Sequence, residues 1–149
     1  DSVLKDAFST IRRQVLCLHR EPEELKTSVR EMRERMRESR LSAGPDQFDI
    51  KEDIGAMVDI EFLVQHLVLQ HAANHPEICR WTDNVRLLQA LAETGIVDGV
   101  TAYRLRQAYL IFRAVVHRLN LQERSPLVDC HRFEHLRDLV RRFWQQTLN

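Results

Sequence analysis

The sequence predicts an all-α protein, a bundle of about six helices in a single domain that spans residues 1–149. Apolar residues recur every three or four positions along nearly the whole chain, which is the spacing of a buried helix face. Only four glycines and four prolines interrupt the 149 residues, and few runs favour strands. A chain of this length buries roughly 68–70% of the surface that it exposes when unfolded, so one core is sufficient to stabilise it.

Two helices are predicted before the one long loop, which covers residues 41–54. The first helix has an apolar stripe made of Leu4, Ala7, Phe8, Ile11, Val15 and Leu18. Pro22 is suited to the first turn of the second helix, and acidic residues flank it. The predicted inner stripe of this second helix is Leu25, Val29, Met32 and Met36. Its mixture of glutamate and arginine is typical of a solvated face with pairs four residues apart.

The third helix, predicted over residues 57–74, is apolar on most sides, which indicates a central position in the bundle. One polar stripe, with Asp59, His66 and Gln70, is expected to face solvent. A second stripe, with Glu61 and Gln65, lies between two apolar arcs. We therefore expect Glu61 and Gln65 to be at least partly buried.

A buried carboxylate is tolerated only when it is paired, so Glu61 needs a cationic or multiple-donor partner. Arg86, which follows closely in the chain, is the first candidate. The sequence thus predicts a buried structural group of Glu61, Gln65 and Arg86.

Three further helices complete the predicted bundle. Thr82 is expected to cap the fourth helix, which Gly95 closes. Asp98 or Thr101 begins the fifth, and Asp129 is expected to cap the last.

Composition argues against several classes of protein. The formal net charge is zero, whereas a binder of nucleic acid or of an anionic membrane would carry a basic excess. No apolar run reaches the ~18 residues of a membrane span. The three cysteines are far apart and odd in number, which favours reduced thiols and a cytoplasmic protein. The chain begins in a helical pattern without methionine, so we expect a fragment of a longer multidomain protein.

Histidine spacing gives little support to a metal site. His71 and His75 are four residues apart, as are His131 and His135, but neither pair encloses the glutamate of an HExxH motif. We expect these histidines to lie on the surface or between helices, with no metal bound. No P-loop, GxGxxG or GxSxG motif is present.

Three motif-rich segments follow one another along the chain: LKTSVREMRERMRES, then FDIKEDIGAMVDIEFLVQHLVLQ, then HPEICRWTDNVRLL. Together they resemble the glutamine synthetase adenylyltransferase family. The pattern of that family is an MR-x-KMR helix, a loop ending in lysine, Gly-Gly, a [V/I]-D-I-E-F-L-V-Q helix and a TDNVR segment. The matching positions are Met32, Arg33, Arg35, Met36, Arg37, Lys51, Gly55, Asp59, Ile60, Glu61, Phe62, Gln65 and the Thr82–Arg86 segment.

The resemblance implies a helical domain that follows a nucleotidyltransferase domain. Members of this family join two such halves, of which one attaches AMP to a tyrosine of glutamine synthetase and the other removes it. The HPEICRWTDNVRLL form resembles the C-terminal, adenylylating half, and a related helical domain occurs in the PII uridylyltransferases. The resemblance implies ATP and magnesium for the parent enzyme. It implies three partners: the missing nucleotidyltransferase domain, glutamine synthetase and the PII signal protein.

The catalytic signature of the family, a Gly-Ser followed by paired aspartates that hold the metal, does not occur in this chain. We therefore expect the fragment alone to bind no cofactor and to transfer no AMP. The alternative hypothesis is a free-standing helical interaction module without catalytic activity.

Lys51, Gly55 and Asp59 are the candidate residues for the junction with the catalytic domain or for the phosphates of its nucleotide. Gly55 would permit close backbone approach. In the alternative interpretation, Asp59 only complements the helix N-terminus, a stabilisation of about 0.3–1 kcal/mol, and Lys51 is solvated. Ala56 replaces the second glycine of the family and would be strained if its φ were positive.

Overall fold

The computed structural model describes residues 2–39 and 43–149, and in these ranges the fold is all-α with six α-helices. The prediction of fold class is confirmed. The helices are α1 (Ser2–Leu16), α2 (Pro22–Glu38), α3 (Met57–His71), α4 (Asn84–Glu93), α5 (Gly99–Leu121) and α6 (Glu134–Leu148). A short 3₁₀-helix, Pro76–Arg80, lies between α3 and α4.

A small antiparallel sheet interrupts the long loop before α3. Strand β1 (Gln47–Asp49) pairs with β2 (Leu127–Asp129), and Phe48 lies opposite Val128. Phe48 and Ile50 are almost completely buried, so this part of the loop belongs to the core. Three residues are too few to show strand alternation, and the partner strand is remote in sequence. Residues 41 and 42 of the predicted loop lie outside the described residues.

Helix α3 is central, as the sequence predicted. It packs against α2, α4, α5 and α6. Its apolar residues Ile60 and Leu63 are completely buried and belong to one core cluster with Phe112 of α5 and Val140 of α6. Burial on several sides explains why this helix lacks a single apolar face.

The helix starts show which capping predictions were right. Pro22 occupies the first turn of α2, and Asp98 caps α5 by accepting a hydrogen bond from the Thr101 amide at 2.9 Å. The cap of α4 is Asp83, one residue after the predicted Thr82, and it accepts from the Arg86 amide at 3.0 Å. An aspartate and a threonine are both good caps, so their order could not be read from the sequence.

Asp129 does not cap the last helix, contrary to the prediction. It lies in β2, and its carboxylate accepts a hydrogen bond from the His131 amide at 2.9 Å. The chain then makes a turn, and α6 begins only after Phe133, which has a φ of 61°. A local Asx turn thus uses the side chain that would otherwise cap a helix.

The inner face of α2 is rotated from the predicted stripe. Met32 and Met36 are 54% and 37% exposed, whereas Arg33 is completely buried. The prediction of a solvated arginine face is therefore wrong at Arg33. The reason lies in α3, which presents a carboxylate to this face and makes arginine a better inner residue than methionine.

Helix α1 differs from the other helices because it contains no buried residue. Its apolar stripe points away from the bundle: Phe8 is 66% exposed and Ile11 is 59% exposed. The helix is held to the body through Arg12, whose guanidinium donates to the carbonyl oxygens of Cys79 and Trp81. The first predicted stripe is real as a pattern, but within this chain it covers no core.

Candidate functional site

The segment that joins α2 to α3 is organised around the buried carboxylate of Asp59. Its Oδ1 atom accepts hydrogen bonds from Arg33 Nε at 2.7 Å and from Arg37 Nη2 at 2.8 Å. Its Oδ2 atom accepts from the Gly55 amide at 2.8 Å. The Asp59 side chain is only 2% exposed, so the prediction that it faces solvent or a missing domain is wrong.

The surroundings balance the charge of this cluster. Arg33 also donates to the Glu52 carbonyl oxygen at 2.6 Å, and its Nη1 lies 3.9 Å from the Glu52 carboxylate. Arg37 lies over the Trp144 ring of α6, with 5.6 Å between the guanidinium carbon and the ring centroid. Two guanidinium groups and two carboxylates thus meet where α2, α3 and α6 converge. Removal of one partner from such a buried group is costly, because the opposite charge is then left without compensation.

Gly55 makes a close backbone approach, but to α6 rather than to another domain. Its φ is +83°, and a Cβ at this position would lie 2.8 Å from the Arg137 carbonyl oxygen. Both the conformation and the space therefore require glycine. Ala56, in contrast, has a φ of −90°, so the alanine that replaces the second glycine of the family is not strained.

Lys51 is the one junction candidate whose side chain is available to solvent. It is 48% exposed, and its Nζ is 4.0 Å from a Glu52 carboxylate oxygen. Its backbone is fixed, because the Lys51 amide donates to Asp49 Oδ1 at 2.9 Å and its carbonyl accepts from Val58 at 2.9 Å. The Lys51 ammonium group is thus exposed on a loop whose backbone is held by hydrogen bonds.

Glu61 is half-buried and bonds to α5, not to Arg86. Its Oε1 accepts a hydrogen bond from the Tyr109 hydroxyl at 3.1 Å, and Asn84 Nδ2 donates to the same hydroxyl at 3.2 Å. Burial, together with the neighbouring Glu61, raises the pKa of Tyr109. The prediction that Glu61 is partly buried is confirmed. The prediction that Arg86 pairs with it is wrong, because the half-buried carboxylate keeps part of its hydration and needs no cationic partner.

The other two residues of the predicted buried group are exposed. Arg86 has a side chain that is 61% exposed; it lies 3.6 Å from Asp83 and over the Trp81 ring. Gln65 is exposed and lines a cleft of about 300 Å³ with Arg12 and Asn84. The prediction that Gln65 and Arg86 are buried is therefore wrong. Arg86 is exposed because α4 places its Leu87 and Leu88 in the core instead.

His66 shares the face of Asp59 and is completely buried, which also contradicts the predicted solvent stripe. Neither of its ring nitrogens has a hydrogen-bond partner among the described residues. Burial lowers the pKa of His66 to about 4, and the nearby Lys26 ammonium adds to this lowering. The imidazole is therefore neutral in the folded protein near neutral pH.

The residues that the sequence reasoning missed are Arg33, Arg37, Tyr109 and Trp144. The two arginines belong to the MR-x-KMR motif, and their spacing of four residues places both on one face of α2. This spacing could have indicated the site, because two arginines on one helix face can donate to the same carboxylate. Tyr109 and Trp144 gave no comparable signal, because their partners come from helices remote in sequence.

The polar contacts of α3 hold helices together. Asp59 is occupied by arginine donors, and the Glu61 network ends at a tyrosine and an asparagine. In the two described ranges, no group of three or more histidine, cysteine, aspartate or glutamate side chains is placed to hold a metal ion. Among the described helices, none has the length and hydropathy that a bilayer crossing requires.

Comparisons with known proteins identify the family of this chain. A family model described as GlnD PII-uridylyltransferase matches residues 23–143. The chain belongs to this family of nucleotidyltransferases, and it is a helical domain of that family.

More particularly, the chain is similar to the bifunctional glutamine synthetase adenylyltransferase/adenylyl-removing enzyme of Thioalkalivibrio sulfidiphilus (strain HL-EbGR7). The two are 40% identical over 148 residues, which cover 99% of this chain and 15% of that enzyme. The resemblance drawn from the sequence motifs is thereby confirmed.

Proposed function

We propose that this chain is the helical domain that follows the nucleotidyltransferase domain in the adenylylating half of a glutamine synthetase adenylyltransferase. In this role it braces the catalytic domain during transfer of AMP from ATP, with magnesium, to a tyrosine of glutamine synthetase. The similar enzyme supports this proposal. The matched segment is 15% of that protein, which is the share expected of one domain in a larger enzyme.

The exposed apolar face of α1 is the observation that carries the proposal. Six apolar side chains on or beside this helix are more than half exposed: Val3, Leu4, Phe8, Ile11, Val15 and Leu18. A contiguous apolar stripe of this kind marks a protein interface. The occupant that we propose is the nucleotidyltransferase domain, because a partner in the same polypeptide is present at high effective concentration.

The junction cluster supplies the rigidity that a brace needs. Asp59, Arg33 and Arg37 join α2 to α3, while Gly55 packs directly on the backbone of α6. The loop that carries Lys51 is therefore held on three sides. We propose that Lys51 contacts the catalytic domain or the phosphates of its nucleotide.

The first test changes the α1 face in the longer enzyme. Phe8→Ser together with Ile11→Ser should lower the rate of AMP transfer to glutamine synthetase at least about tenfold, the loss expected when interface anchors are removed. The matched control is Val100→Ser with Tyr103→Ser, since these α5 residues are 65% and 61% exposed. Equal rates in the two double variants would contradict the proposal.

A control for folding accompanies this test. Both pairs of substitutions are on the surface, so circular dichroism and the thermal midpoint of the 149-residue chain should stay unchanged. The isolated chain should also transfer no labelled AMP, and stoichiometric transfer by pure chain would contradict the proposed division of labour.

The second test concerns Lys51. Lys51→Ala should reduce adenylylation by the longer enzyme without changing the melting of the isolated chain. Arg104→Ala, an exposed cation on α5, is the control. Asp59→Asn is unsuitable for this purpose, because Asp59 is a buried structural group. A wild-type rate in Lys51→Ala would leave the loop with a structural role alone.

A third measurement separates the brace from a free-standing interaction module. Binding of the isolated chain to glutamine synthetase and to the PII signal protein is measured with and without glutamine. A brace whose apolar face needs the catalytic domain should bind both proteins far more weakly than the longer enzyme does. Equal affinities would favour the free-standing module.

A further inference from the structure

Two of the three cysteines meet in the fold although they are 62 positions apart in sequence. Cys17 follows the last residue of α1, and Cys79 lies in the 3₁₀-helix. Their sulfur atoms are 3.8 Å apart, and both thiols are free. A disulfide bond is about 2.05 Å long, so the sulfurs need to approach by a little under 2 Å.

We propose that Cys17 and Cys79 form a peroxide-sensitive thiol pair whose oxidation to a disulfide fastens α1 to the 3₁₀-helix. Because α1 has no buried residue, a small shift of this helix toward the 3₁₀-helix disturbs little of the core. Arg12 already joins α1 to this region, because its guanidinium donates to the carbonyl oxygens of Cys79 and Trp81.

The two thiols differ in accessibility, which assigns their roles. Cys17 is half-buried, whereas Cys79 is only 6% exposed. Burial, followed by the contact with Cys17, raises the pKa of the Cys79 thiol to about 11. Cys17 is therefore the thiol that the oxidant reaches first, and Cys79 is the resolving thiol.

The reaction is balanced with hydrogen peroxide as the oxidant. The Cys17 sulfur attacks one peroxide oxygen, the O–O bond breaks, and Cys17 becomes a sulfenic acid with release of water. The Cys79 sulfur then attacks the Cys17 sulfur, the S–OH bond breaks, and the hydroxide leaves with the Cys79 proton as a second water. Two thiols lose two electrons in total, and peroxide is reduced to water.

The disulfide would close a long loop that contains α2 and α3. Such a link restricts the unfolded chain, so the folded protein becomes more stable. It would also fix the orientation of the exposed apolar face of α1. This inference does not depend on the identity of the partner that covers that face.

The test is peptide mapping of the 149-residue chain after titration with hydrogen peroxide under native conditions. Without reductant, the main product should be a linked pair of peptides that contain Cys17 and Cys79, with the mass of two hydrogens lost. The thermal midpoint should rise by up to about 10 °C and return to its starting value with dithiothreitol.

Single variants and an unfolded sample are the controls. Cys17→Ser, at a half-buried position, should abolish both the link and the rise in midpoint, whereas Cys130→Ser should retain both. In urea the pairing should lose its preference for Cys79. The proposal is overturned if native Cys17 advances to sulfinic or sulfonic acid without a link, or if it pairs with Cys130 as often as with Cys79.

Discussion

The two polar faces of α3 have opposite fates. Asp59 and His66 lie on the face toward α2 and are completely buried, whereas Glu61 and Gln65 lie toward α4 and α5 and keep contact with solvent. Simple helix geometry suggested the reverse. The neighbouring helix therefore decides which polar stripe is buried, because α2 brings two guanidinium groups to the Asp59 carboxylate.

The two faces also differ in how well their buried groups are satisfied. Asp59 accepts from two arginines and from the Gly55 amide, so its desolvation is compensated. His66 is as deeply buried, yet its ring nitrogens have no hydrogen-bond partner in the described ranges. The face of α3 toward α2 therefore contains a buried carboxylate that is well compensated, Asp59, and a buried imidazole, His66, whose charged form is unfavourable.

The largest expected effect is at Asp59. Asp59→Ala leaves two guanidinium groups without their shared carboxylate, so the free energy of unfolding should fall by about 3–5 kcal/mol. Denaturation by urea, followed by circular dichroism, measures this loss. Asp6→Ala, an exposed aspartate on α1, is the control and should change stability by less than about 0.5 kcal/mol.

A double variant sharpens the interpretation of Asp59. Arg33→Met with Asp59→Leu removes one charge of each sign, so its cost should be well below the sum of the single costs. Additive costs would show that the two side chains do not act as a pair.

The next effect is the pH dependence that His66 introduces. Its pKa in the folded protein is lowered to about 4 from the ordinary histidine value of 6.5, so the unfolded state binds the proton more readily. The contribution of neutral His66 to the free energy of unfolding is therefore fully present above pH 6.5. It is lost as the pH drops toward 4, with a slope of at most about 1.4 kcal/mol per pH unit. His66→Leu should flatten the curve over this window relative to wild type, and the exposed His131→Ala should not.

A smaller effect is expected on the opposite face, at Tyr109. Tyr109→Phe removes the hydroxyl that joins Glu61 to Asn84, and the loss should be about 1 kcal/mol. Tyr103→Phe is the matched control, because Tyr103 is 61% exposed. A loss as large as that of Asp59→Ala would remove the contrast between the two faces.

The smallest effect is expected at Arg86. Its ion pair with Asp83 is on the surface, so Arg86→Ala should change the free energy of unfolding by no more than about 0.5 kcal/mol. Equilibrium denaturation again provides the measurement. A cost near 3 kcal/mol would instead support the pairing of Arg86 with Glu61 that the sequence suggested.

The fold class and most helix ends were predictable because their signals are local. Pro22 and Asp98 act within one turn of their own helices, and the apolar stripe of α5 repeats over 23 residues. The polar segment 51–61 was recognisable in the sequence, but the contacts inside it were assigned to the wrong side chains. Those contacts join α2, α3 and α6. The residue pattern of one helix does not predict where another helix packs against it.

Local sequence patterns were sufficient to predict that the chain is helical, that α3 is central and that the motifs match one family. These follow from short-range sterics, capping and hydrophobic periodicity, which each segment carries alone. Three further features follow from helix packing: Asp59, not Glu61, is the buried carboxylate, α1 exposes its apolar face, and Cys17 meets Cys79. Each of these depends on the relative rotation of packed helices, and that rotation is fixed only when their side chains compete for the same interior.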